Sequence, residues 1–99
     1  MKIVIKRPGE PAEAMDISDS LEKWQELVGG YIECVSLTPH MAMIVNEEGK
    51  IKNLPKNFPW RDDYIVGNAL FVGIKDYDLA DLDEGIVEAL LAYWSEVGK

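Results

Sequence analysis

Apolar residues in this chain recur in two kinds of pattern, and the switches between them lay out the elements. Ile3-Val4-Ile5 is an unbroken run between Lys2 and Lys6, which predicts a strand covered on both faces. Pro8-Gly9-Glu10-Pro11 ends it: proline presets one torsion and glycine admits a positive φ, so the chain turns there. Ala14 to Ile17 reads as a short return strand, and the two prolines beside it favour an edge position.

The spacing then becomes helical. Leu21, Trp24, Leu27 and Val28 make one apolar stripe. Asp19 with Glu22 fits a variant capping box at its start, with Ser18 or Ser20 as alternative caps. Gly29-Gly30 ends the helix, one of the pair taking the left-handed C-terminal conformation. A strand follows from Tyr31 to Ser36. Its two faces, Tyr31/Glu33/Val35 and Ile32/Cys34/Ser36, do not say which is the core side.

Met41 to Val45 is a continuous apolar strand. Asn46-Glu47-Glu48-Gly49 reads as a hairpin turn with glycine at a left-handed or bulge position, and Lys50 to Asn53 as its return. Leu54 to Asp63 reads as irregular, because Pro55 and Pro59 oppose regular pairing. Tyr64-Ile65-Val66 is a short strand before Gly67-Asn68, and Ala69 to Ile74 a central one. Leu82, Ile86, Leu90, Trp94 and Val97 form a second helical stripe, with Asp81 and Glu84 as its capping box and Gly98 after it. The sequence therefore predicts an α+β fold: a largely antiparallel sheet of roughly five to six strands with two helices packed on it, in the order β-β-α-β-β-β-(β)-β-α.

Ninety-nine residues suit a single domain spanning 1–99, long enough to bury a core without staples. One cysteine asks for no oxidising compartment, and no window approaches the apolar length of a membrane span. With no signal-peptide core behind Met1, the expected location is cytoplasmic. The net charge of −8 opposes direct binding of a nucleic-acid backbone and suits a basic protein surface.

Four segments resemble, in order, a family of phage- and bacterium-associated domains of unknown function. They are Val4 to Pro11 (VIKRPGEP), Val28 to Glu33 (VGGYIE), Asn46 to Asn57 (NEEGKIKNLPKN) and Ile65 to Gly67 (IVG). The resemblance implies a phage or mobile-element setting. It brings no catalytic residue or cofactor with it.

Chemistry-bearing residues are sparse. Asp76 and Asp78 could open a calcium loop, but Ala80 and Asp81 occupy the positions that need a ligand and a glycine. Asp81, Asp83 and Glu84 instead suit the positive end of the last helix, so no metal site and no cofactor are expected. His40 and Cys34 are too few for a structural zinc. No nucleophile, base and orienter stand together, so no catalytic residue is assigned. The surface candidate is Asn57, Trp60 and Arg61 in the stretch Asn57 to Asp63, since Trp and Arg are the residues most enriched in interface hot spots. Two placements are open: an exposed anchor, or Trp60 or Phe58 plugging the core with Arg61 paired to Asp62 or Asp63.

The expected function is a non-enzymatic, acidic accessory domain that binds a host protein, as a monomer or homodimer. The alternative is a small-molecule-binding or hydrolytic domain with a pocket near residues 54–64. A third possibility is a regulatory module that dimerises through a sheet edge.

Overall fold

A computed structural model describes residues 1–96, so Val97 of the second stripe and Gly98 lie outside the described residues. The elements are β1 (Lys2–Lys6), β2 (Glu13–Asp16), α1 (Leu21–Val28), β3 (Ile32–Thr38), β4 (Met41–Asn46), β5 (Lys56–Trp60), β6 (Asp63–Val66), β7 (Ala69–Lys75), β8 (Asp78–Ala80) and α2 (Glu84–Tyr93). Six strands form one antiparallel sheet in the order β2-β1-β7-β4-β3, with β8 paired to the far end of β7. Strands β5 and β6 make a separate ribbon. The fold is α+β, as the pattern predicts.

The continuous apolar runs occupy the middle of the sheet because both its faces are covered. Ile3, Ile5, Ala42, Ile44, Leu70 and Val72 face one way and join Trp24 and Val28 of α1 in one core. Val4, Met43, Val45, Ala69 and Phe71 face the other way. There they meet Leu82, Val87 and Trp94 at and around α2, together with Phe58 and Ile65 of the ribbon. The outer strands β2 and β3 are polar or half-exposed. No helix among the described residues is long and apolar enough to cross a membrane.

Helix α1 is capped by Ser20, whose Oγ accepts from the Lys23 amide at 3.2 Å. Asp19 instead accepts from Trp24 Nε1 at 3.2 Å, so the Asp19–Glu22 box does not form. At the other end Gly29 takes the left-handed conformation (φ 79°) and donates to Gln25 O at 2.8 Å. Two asparagines close this terminus: Asn68 Nδ2 donates to Leu27 O at 2.8 Å, and Asn46 Nδ2 to Val28 O at 3.1 Å. These carbonyls have no partner within the helix, so the side chains satisfy groups that would otherwise need water.

Two other caps and turns differ from expectation. The N-cap of α2 is Asp83, which accepts from the Gly85 and Ile86 amides, while Asp81 accepts from the Lys2 amide at 2.8 Å and ties down the start of β1. Lys50 to Asn53 does not return as a strand. It coils, held by Lys52 N to Glu48 O and Leu54 N to Gly49 O, both 2.9 Å. Gly49 is not left-handed; a Cβ there would lie 2.7 Å from Val66 Cγ2, so its small size lets the coil rest on β6.

Gly29→Ala should lower stability by about 1 kcal/mol, since a Cβ is strained at this torsion. Urea denaturation measures it, and an unchanged midpoint would remove the C-cap role.

Candidate functional site

The ribbon decides where a site can form, and a buried lysine decides where the ribbon lies. Lys6 shares the parity of Val4 on β1 and therefore points into the α2-side core, where it is fully buried. Its Nζ donates to Arg7 O at 2.7 Å and to Asn57 Oδ1 at 3.1 Å. Asn57 Nδ2 in turn donates to Lys6 O at 2.6 Å and to Gly67 O at 2.8 Å. Burial pushes the Lys6 pKa down, and the Glu10 charge acts against that without reversing it.

Asn57 reaches the sheet because the ribbon register shifts between Lys56 and Phe58. Lys56 pairs with Val66 and Phe58 with Ile65, which leaves Asn57 as the extra residue of a bulge with its side chain re-aimed. Phe58 then enters the core against Trp94 (4.9 Å between ring centroids) and Phe71 (6.2 Å). The expected irregular loop is thus a paired hairpin. Pro59 is tolerated because Trp60 and Asp63 close the two-residue turn, so Pro59 opposite Tyr64 falls at a non-hydrogen-bonded pair.

At the ribbon tip Trp60 is half-buried at the rim of the core, and Phe58 is the plug. Arg61 is exposed, with its guanidinium 5.2 Å from the centre of the Trp60 ring. It pairs with neither Asp62 nor Asp63; Asp63 holds Lys50 instead. Trp60 and Arg61 wall a groove of about 360 Å³, together with Glu33 and Val35 of β3, Val45 of β4 and Tyr64 of β6. The structure therefore brings Trp60 and Arg61 together and turns the Asn57 amide away from them, into the fold.

Elsewhere the acidic stretch disperses. Asp83 caps a helix, Asp81 holds an amide, and among the described residues no cluster of three metal-ligating side chains forms. Cys34 is exposed as a residue, yet burial of its thiol pushes the pKa up and away from the reactive thiolate. The sequence reading did not single out Lys6, Glu33 or Tyr64. Only Lys6 had a signal: a charged residue on the inward parity of an apolar strand.

The chain belongs to a family described as a domain of unknown function (DUF3846), whose model matches residues 1–95. No curated protein and no solved structure matches it.

Asn57→Ala should cost about 2–4 kcal/mol, because it strips a partner from buried Lys6 Nζ and orphans two carbonyls; chemical denaturation reads it. The lowered Lys6 pKa makes a second prediction. Between its folded and unfolded values the unfolded chain binds more protons, so stability rises as pH climbs through that window. Lys6→Met should flatten the rise relative to the wild-type chain. Equal slopes in pH-dependent unfolding would contradict the desolvation.

Proposed function

We propose that this member of the family is a non-enzymatic accessory domain that binds a protein partner through the groove walled by Trp60 and Arg61, the partner being a host protein in a phage or mobile-element setting. The observation that carries the reading is the backbone at Arg61. It sits at φ 55° in the ribbon turn, a left-handed position that glycine, asparagine or aspartate occupies at least cost. Arginine there costs about 1 kcal/mol relative to glycine. The side chain recovers none of this through an ion pair among the described residues; it only lies over Trp60.

A strained turn that carries an exposed guanidinium on an indole suits recognition better than stability. Arg and Trp at the edge of an apolar groove match the composition of interface anchors. The chain's charge of −8 adds to the reading, since it speeds encounter with a basic surface and makes it sensitive to salt.

A pocket for a small molecule near residues 54–64 is the second reading. The groove volume of about 360 Å³ falls within the ligand-pocket range. Its walls hold exposed Ile51 and Tyr64 and no convergent set of buried polar groups, which favours the protein partner.

Arg61→Gly separates these effects. Relief of the torsion should raise unfolding stability by about 0.5–1 kcal/mol, while capture of a defined host protein from lysate falls. Trp60→Ala should reduce capture as well. Retention of the same host protein by both variants would overturn the reading.

A further inference from the structure

Strand β3 forms one edge of the sheet and differs from the other edge in kind. Strand β2 is short, carries charge, and has Glu13 tied to Arg7 and Asp16 to the chain's amino terminus. Such an edge resists addition. Strand β3 runs for seven residues with Glu33 as its one charge and no proline or lysine. Tyr31 O accepts from Glu47 N at 2.9 Å, which makes Tyr31 and Glu47 a hydrogen-bonded pair. The alternation of an antiparallel ladder then directs Glu33 and Val35 toward β4 and turns the N–H and C=O of Ile32, Cys34 and Ser36 to the open side. Among the described residues these groups have no other backbone partner.

Both faces of that edge are hollow. On one side Glu33 and Val35 border the groove that contains Trp60 and Arg61. On the other, Cys34 and Ser36 border a groove of about 650 Å³ closed by Leu37, Ile74, Leu79 and Tyr77. A strand laid along β3 would drop alternate side chains into the two grooves, as its pleat requires. The grooves differ in charge. Glu33 and Glu47 in the first have no ion pair among the described residues, its Lys50 is held by Asp63, and its Arg61 lies over Trp60 at the ribbon tip, so the groove keeps a net negative charge. The second holds one charged residue, Asp78, among apolar and hydroxyl-bearing ones.

We infer that the free edge of β3 is a strand-addition site for an extended partner segment in which small apolar residues alternate with lysine or arginine. The apolar residues face the Cys34/Ser36 groove, and the basic ones face Glu33 and Glu47. This rests on the reading of the Trp60–Arg61 groove as a protein-docking face and names the partner's chemistry. A second copy of the chain is the poorer occupant, since it brings a further −8 charge to a contact where two unpaired carboxylates, Glu33 and Glu47, outnumber the one unpaired guanidinium of Arg61.

The test uses the full chain with three capped octapeptides: alternating Val-Lys, alternating Val-Glu, and a block peptide with the composition of the first but paired residues. The alternating Val-Lys peptide should bind saturably, roughly tenfold or more tightly than the block peptide. It should also slow amide exchange at Ile32, Cys34 and Ser36. Cys34→Pro, which removes an outward-facing N–H and leaves the β4 ladder intact, should abolish the difference. If that variant does not fold, exchange on the wild-type chain decides alone. Equal binding of the alternating and block peptides, or no protection at the three amides, would overturn the inference. So would concentration-dependent protection without peptide, which would make a second copy the occupant. Protection with normal capture of the host protein by Arg61→Gly would leave strand addition standing and remove the Trp60–Arg61 anchor. Loss of capture by Arg61→Gly with unprotected amides would do the reverse.

Discussion

The reciprocal bonds between Lys6 and Asn57 are the constraint on which the functional half of this molecule depends. A lysine ammonium loses several kcal/mol of hydration when it is buried, and the loss is tolerable only if acceptors meet it. Here the acceptors come from Arg7 O next to it and from Asn57, which is remote in sequence. The same asparagine fastens itself to Lys6 O and Gly67 O, so one side chain bridges the sheet, the bulge in β5 and the turn after β6. With the ribbon pinned at that end, Phe58 enters the core and the opposite end projects Trp60 and Arg61 beside β3. The groove is a consequence of where the clamp lies.

Much of the sheet was legible because its central strands report burial on both faces. The runs Ile3-Val4-Ile5, Ala42 to Val45 and Ala69 to Val72 are unbroken and wholly buried or nearly so. A run of that kind has no other use in a domain of this size. The helix stop was legible for a local reason too, since few residues other than glycine adopt the φ of Gly29 cheaply. The caps were less so. Asp81, Asp83 and Glu84 crowd one turn, and the choice of Asp83 depends on Asp81 being drawn off by the Lys2 amide, a contact across most of the chain.

The ribbon was illegible for a different reason. Pro59 signals a break, and the signal is correct for a hydrogen-bonded position in a strand. Its meaning changes once a two-residue turn sets the register, because the missing N–H then points away from the partner strand. Trp60 and Arg61 could be picked out by residue type, but Asn57 could not be assigned its role, since its partners Lys6 and Gly67 lie on other elements. The ambiguity over the faces of β3 has a physical basis as well. Ile32 packs on the α1 side while Val35 and Leu37 pack on the other, so neither face of this edge is fully core or fully solvent.

Backbone strain is concentrated around that same edge. Four non-glycine residues have positive φ: Asn53, Arg61, Asp76 and Tyr77 among those described. Asparagine and aspartate accept the left-handed region through local hydrogen bonding, but arginine and tyrosine do not. Arg61 tips the ribbon that walls one groove along β3, and Tyr77, fully exposed, tips the β7–β8 hairpin that walls the other. In both turns glycine would fold more easily, and in both the side chain is presented to solvent at the mouth of a groove. Stability alone explains neither choice. A need for these two side chains at either flank of an unpaired strand explains both.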